Sequence, residues 1–287
     1  MPASLKVYNF SHDSFEINKL FSGSHAIQNT EISMEQLSYP QYSLIYNALS
    51  FVLAAMGAAT VFLFLNRSQV ALQYRSAVSI AGVVTMIALY HYYRIFQSFD
   101  AAYSVMNGVV TATGKPFNDV YRYMDWLLTV PLLVTELVLV MRIPGAAGNG
   151  KAARLASYAA IMVLLGYPGE ISTDSGTRWL WWTLSMIPFL LIQFELFVGL
   201  KSSIDSQPAA ARGMVSAARY ITVLTWCFYP VVFILPMLGL SGASAQVGVQ
   251  VGYSIADVLA KAAFGIFIYF VAVRKSEIES FVPAPAR

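Results

Sequence analysis

The sequence predicts an all-α membrane protein, a bundle of seven transmembrane helices with its N-terminus outside and its C-terminus inside. Three observations carry this expectation. Of the 287 residues, 57% are hydrophobic and only 11% charged, against roughly 25% charged in a soluble domain. After Gln41 the chain becomes a series of long apolar stretches, most of them near the ~20 residues that cross a bilayer. Lys and Arg then gather in alternate connections, the bias that sets orientation in a membrane. The same composition excludes other classes. The 18 basic residues are nearly balanced by 15 acidic ones with no basic block, so nucleic acid is not an expected partner. Cys227 stands alone and no Cys/His cluster has metal spacing, which excludes an internal disulfide and a zinc module.

Residues 1–40 are mixed polar and lack an apolar run after a basic start, so they read as an extracellular or periplasmic tail and not as a signal peptide. Residues 41–275 form the helical domain, and 276–287 a cytoplasmic tail. Within the domain the apolar stretches are 43–66, 76–98, 120–141, 155–169, 179–200, 216–238 and 249–273. The fourth is short and recruits Ala152–Arg154 as its inner turn. The uncharged run from Tyr220 to Ala256 is too long for one span, and Gly239, Ser241, Gly242 and Ser244 divide it. With the N-terminus outside, inner segments hold Arg67, Arg75, Arg142, Lys151, Arg154, Lys201, Arg212, Arg219, Arg274, Lys275 and Arg287. Outer segments hold only Lys6, Lys19, Arg94, Lys115 and Arg178. The connection between the second and third helices carries Val109, Val110, Thr111 and Thr113 between glycines, which predicts a short β-hairpin on the outer face.

Ionisable groups inside spans cost about 2.5–3.5 kcal/mol each on insertion scales, so each needs a reason. The third helix carries Arg122, Asp125 and Glu136, the seventh Asp257 and Lys261, the second His91 and the fifth Glu195. Arg122, Asp125 and Thr129 follow i, i+3 and i+4 steps and share a face. Glu136 is eleven residues beyond Asp125, nearly the same face and about 16 Å deeper. A lysine with two carboxylates and an arginine on its outer side, and a further carboxylate on its inner side, fits two readings. One is a neutralised structural ion-pair cluster, which accounts for Asp257 and Lys261 but leaves Glu136 without a cation at its depth. The other is a proton relay centred on Lys261. The aromatic residues Trp126, Trp182, Trp226, Tyr229, Phe189 and Phe233 lie in mid-span, with Pro230 beside Tyr229. Trp and Tyr usually prefer the interfaces. Either these residues simply pack helices together or they line a slot for a long, flat, conjugated ligand.

Five segments carry a resemblance. YRYMDWLLTVPLLVTELVLV from Tyr121 resembles the third helix of microbial (type 1) rhodopsins, and SIADVLAK ending at Lys261 resembles their retinal-binding seventh helix. WCFYPVVFILPMLG, GYPGEIS and YHYYRIF, starting at Trp226, Gly166 and Tyr90, agree with the same family. The likeness is greatest to the proteorhodopsin and xanthorhodopsin groups of light-driven proton pumps and runs from about Gln41 to about Val273. It implies all-trans retinal bound covalently to Lys261 as a protonated Schiff base. Asp125 is then counter-ion and primary proton acceptor, Asp257 the second counter-ion, Glu136 the proton donor, His91 the acceptor's partner, and Arg122 the outer gate. Thr129 completes the motif beside Asp125. Trp126, Leu133, Trp182, Ser185, Phe189, Trp226, Tyr229, Pro230 and Phe233 form the retinal pocket.

The resemblance further implies an outward proton pump in a bacterial inner membrane, multi-pass, and a homo-oligomer, pentamer or trimer, with no metal and no enzymatic turnover. Two alternatives remain beside it: a sensory photoreceptor signalling through a partner, and a pump for another ion. Sensory members usually lack an inner donor, and sodium and chloride pumps of the family differ at the acceptor position. Carotenoid-binding members of the xanthorhodopsin group carry glycine at the position of Trp182, so a carotenoid antenna is not expected. Glu195 reads as an inner-rim residue reaching for water, Glu170 and Arg178 as outer-surface groups, and Cys227 as a packed small apolar residue.

Overall fold

A computed structural model describes residues 36–280. Most of the two expected tails, with Lys6, Lys19 and Arg287, lies outside the described residues. Seven long helices run through those residues: α1 (Tyr39–Asn66), α2 (Arg75–Ala102), α3 (Tyr121–Met141), α4 (Gly145–Glu170), α5 (Ser175–Phe194), α6 (Ala209–Ile234) and α7 (Gly242–Ile278). Neighbours in sequence pack side by side, and α7 closes the ring against α1, α2, α3 and α6. The chain is a multi-pass membrane protein of seven-helix bundle architecture. Six of the helices, all but α4, are long and apolar enough to cross a bilayer.

Local chemistry sets the helix ends. Ser38 and Gln41 form a reciprocal cap at the start of α1, with Pro40 in the first turn, where its missing N–H costs nothing. Asp174 caps α5 by accepting from the Thr177 N–H at 2.7 Å. The break between α6 and α7 falls where the glycines predict it: Gly239 (φ 99°) and Gly242 (φ 62°) take backbone angles that residues with a Cβ rarely adopt.

The predicted hairpin is present. Strand β1 (Tyr103–Met106) pairs antiparallel with β2 (Val109–Ala112), Met106 opposite Val109. Asn107 and Gly108 make the two-residue turn with φ of 51° and 77°, the left-handed geometry that matches strand twist. Its Val110 is buried, and a run of packed rings, Tyr42 on Phe99 and Phe99 on Tyr103 and Phe117, fastens it to α1 and α2. Because helix directions alternate, the hairpin, the α4–α5 turn and the α6–α7 turn share one end of the bundle. We call it the hairpin end; the charge bias assigns it to the outside.

Helix α4 begins ten residues before the apolar stretch that predicts it. Its Gly-, Asn- and Lys-containing first turns have little apolar surface to show in sequence. They are held instead to the end of α5, where Lys151 Nζ donates to the Gly199 carbonyl and Arg154 Nη2 donates to Glu195 Oε1 at 2.6 Å. Glu195 therefore does not reach for water: it is 7% exposed and paired, because a π-helical turn (Glu195–Gly199) turns it toward α4. Cys227 is also corrected. It is exposed on α6 beside Leu224, Phe228 and Val231, a stripe that faces lipid and not the core.

Candidate functional site

Lys261 lies at the centre of the bundle, in a π-helical turn (Val258–Ala263) inside α7. Such a turn inserts one extra residue into the helix and is common at functional sites. The lysine is 1% exposed, and its Nζ contacts Asp125 Oδ2 and lies 3.1 Å from Asp257 Oδ1. One buried cation thus bridges two buried carboxylates, one from α3 and one from its own helix.

The two carboxylates are supported unequally. Asp257 accepts from Tyr229 OH at 2.5 Å, Tyr92 OH at 2.7 Å and Trp126 Nε1 at 3.2 Å. Asp125 contacts the lysine through Oδ2 alone, and its Oδ1 has no hydrogen-bond partner. His91 stands close by, Nδ1 4.0 Å from Asp125 Oδ1, but that nitrogen donates to the Ile87 carbonyl at 3.0 Å. The Thr129 hydroxyl donates to the Asp125 backbone carbonyl at 2.8 Å and not to its carboxylate.

Toward the hairpin end, Arg122 is 2% exposed. Its Nη2 donates to Gln250 Oε1 at 2.6 Å and its Nη1 lies 3.4 Å from Asp119 Oδ2, while Gln250 Nε2 also donates to Asp119 at 2.7 Å. The guanidinium sits between the rings of Tyr92 and Tyr253, 5.6 and 5.4 Å from their centroids. Although it shares a helix face with Asp125, its hydrogen bonds run outward. Arg178, at the same end, is half-buried, its guanidinium 5.0 Å from the Phe233 ring centroid.

Toward the opposite end the chemistry thins out. Glu136 is completely buried, and neither carboxylate oxygen has a hydrogen-bond partner. One turn further, Lys275 closes the end of α3 from α7. Its Nζ donates to the carbonyls of Val140 and Met141 at 2.8 and 3.2 Å and to Gln207 Oε1 at 2.8 Å. The sequence counts Lys275 among the inner-segment charges without showing that it is buried; it is 4% exposed.

Beside Lys261 runs an apolar slot of about 100 Å³, several times the ~10–15 Å³ that admits one water. Trp126, Leu133, Trp182, Ser185, Phe189, Trp226, Tyr229, Pro230 and Phe233 line it together with Lys261 itself. Sequence reasoning misses Tyr123, Met162, Gly166 and Tyr253, which also line it. Gly166 keeps one wall low: a Cβ there would stand 3.3 Å from the Tyr123 ring. Trp182 Nε1 donates to the Pro230 carbonyl at 3.2 Å, tying α5 to α6 across the slot. Aromatic walls, almost no polar lining and a terminal amine suit a long, flat, apolar molecule that reacts with an amine. All-trans retinal has that chemistry.

A seven-helix bundle with a buried lysine at the end of an aromatic slot defines a class, and the chain belongs to it: the bacteriorhodopsin-like protein family, whose model matches residues 45–275. It is a microbial type 1 rhodopsin. Among its relatives, the green-light absorbing proteorhodopsin of Gamma-proteobacterium EBAC31A08 is 31% identical over 234 residues, covering 80% of this chain and 88% of that one. Two solved structures match at a TM-score of 0.83. Xanthorhodopsin, described as a light-driven ion pump with dual chromophore, is 47% identical and is covered to 98% by 86% of this chain. Thermophilic rhodopsin is 41% identical, covered to 100% by 86% of this chain.

Proposed function

We propose that the protein is a light-driven outward proton pump of a bacterial inner membrane, with retinal joined to Lys261. When bound there, retinal supplies absorption of visible light and a protonated Schiff-base nitrogen. The carrying observation is asymmetry about Lys261: a contacting carboxylate toward the hairpin end and an isolated, buried carboxyl group toward the other. Asp125 Oδ2 takes a proton from the lysine nitrogen it touches. Asp257, held by Tyr92, Tyr229 and Trp126, is the second counter-charge, fixed in position beside the lysine by three donors. Arg122, anchored by Gln250 and Asp119, keeps a positive charge between Asp125 and the outside. Glu136 carries the replacement proton from the inner side, and the rings around the slot exclude water from Lys261.

The test is light-driven acidification of a lightly buffered suspension of cells that express the protein with added retinal. A pump acidifies the medium, a protonophore abolishes the change, and Lys261→Ala gives a colourless protein with no response. A signalling photoreceptor gives colour without acidification, and a pump for another ion gives a pH change that a protonophore enhances. Either result overturns the reading.

Trp182 also argues against a carotenoid antenna. Its indole forms part of one wall of the slot and donates to the Pro230 carbonyl, a large rigid side chain where a second chromophore's end ring would need room. Incubating the pigment with a hydroxylated carotenoid should give no carotenoid bands in the excitation spectrum of retinal emission. Their appearance would refute this.

A further inference from the structure

At the end of the bundle away from the hairpin, a second cavity of about 570 Å³ opens between the end of α5 and the start of α6. It has no part in the proton path. Its lining contains Lys201, Arg212 and Arg219 against one carboxylate, Asp205. Lys201 is committed to Asp205 at 2.6 Å. Arg212 donates to the Gln207 carbonyl at 3.2 Å, a neutral acceptor. Arg219 has no carboxylate partner among the described residues. It is 9% exposed, its Nε has no hydrogen-bond partner, and its Nη2 reaches only Ser216 Oγ at 3.4 Å. Three cations with one anion leave a net charge of +2 in a partly buried place, and a buried donor left unmade costs about 1–3 kcal/mol.

The start of α6 adds to this bias. Pro208 occupies the cap and offers no side-chain acceptor to the first-turn N–H groups. Those groups and the helix dipole both favour an anion. The flanks of the cavity are apolar and outward-facing: Phe197 is 37% exposed, Tyr220 48% and Leu224 72%. The guanidinium of Arg219 lies 5.2 Å from the centroid of Phe197 and 4.8 Å from that of Tyr220. A cationic pocket directly beside apolar, lipid-facing surface matches an amphiphile with an anionic head. Basic pockets between helices on the inner side are where phospholipid head groups bind.

We propose that this cavity is a binding site for the phosphate head group of an anionic phospholipid of the inner leaflet. Arg219 and Arg212 hold the phosphate, and the acyl chains lie along Phe197, Tyr220 and Leu224.

The test uses the purified full chain, exchanged from detergent into nanodiscs or micelles containing phosphatidylglycerol or phosphatidylcholine. Native mass spectrometry counts the lipid retained. The expected result is one tightly held phosphatidylglycerol per chain, preferred over phosphatidylcholine and released by salt. Arg219→Gln and, separately, the more exposed Arg212→Gln should each weaken retention by about fivefold. Intrinsic tryptophan fluorescence on heating checks that each variant is folded; if Arg219→Gln is not, Arg212→Gln carries the test. Equal retention of the two lipids, or unchanged retention in folded variants, overturns the proposal. So does displacement of the lipid by millimolar inorganic phosphate, which would make the site one for free phosphate.

Discussion

The two halves of the bundle on either side of Lys261 are built on opposite plans. Toward the hairpin, the buried charges are networked: Asp257 has three donors besides the lysine, and Arg122 has Gln250 and Asp119. Toward the other end Glu136 is buried with no hydrogen bond at all, beneath a helix end sealed by Lys275. A network of that kind offers partners to a charge, whereas an isolated carboxyl group in apolar surroundings has none. On the proposed reading the contrast gives the path a direction: the networked half receives a charge and the dry half supplies a proton.

The sharpest way to break the comparison is Asp125→Asn. Of the two carboxylates at Lys261 among the described residues, Asp125 is the one without other side-chain donors, so it has no donor network to take over its place. Acidification should vanish, and absorption should move to longer wavelength because a negative charge beside the chromophore is gone. An unshifted, pumping variant would show that the proton leaves by another route. Glu136→Gln comes next. The colour should stay, because the residue lies far from Lys261, but turnover should slow by about a hundredfold, within the range for a lost proton-transfer group. With no internal donor the proton must come from solution, where its concentration falls tenfold per pH unit. The slowing should therefore deepen as pH rises. Flash kinetics that match the parent across pH would remove Glu136 from the path.

Much of this half-and-half plan is legible in sequence because it lies on two helices with regular spacing. Arg122, Asp125 and Glu136 show their shared face by counting, and Lys261 stands out as a lysine within an apolar stretch. What escapes is what depends on partners distant in the chain. Tyr92, Tyr253 and Gln250 look like ordinary polar residues in helices until α2, α3 and α7 come together. The π-helical turn around Lys261 has no local signature, since VLAKAA suits a regular helix equally well. Lys275 reads as a tail charge because nothing in sequence shows that the carbonyls of Val140 and Met141 end beside it. Cys227 reads as core because small apolar residues usually are; only the ring's closure decides which side of α6 meets lipid.

Lys275 offers a smaller but direct probe of the sealed half. Lys275→Met fills similar volume while removing three donated bonds, and Met141 keeps its bond from Gln207 Nε2 at 2.9 Å. The Val140 carbonyl and Gln207 Oε1 are left without their donor, at about 1–3 kcal/mol for each group. Thermal unfolding should begin at a clearly lower temperature, with colour unchanged. A variant as stable as the parent would mean that water already reaches this end, and the dry half would be dry only around Glu136.

The smallest expected effect concerns the crowded half. Tyr229→Phe deletes one bond to Asp257 and almost no volume; Tyr92→Phe does the same from the other side of the bundle. Asp257 would keep the remaining tyrosine, Trp126 and Lys261 in each case. A hydrogen bond to a charged group contributes about 1.5–3 kcal/mol, so each variant should melt somewhat earlier. Transport should nevertheless persist in both, because no single donor defines the counter-charge. Residues sharing one acceptor are coupled, so the double variant should lose more stability than the two single losses added together. Purified single and double variants compared by thermal melting and light-driven acidification would decide it. If either single change abolishes transport, the donors are not redundant, and Asp257 is balanced as delicately as Asp125.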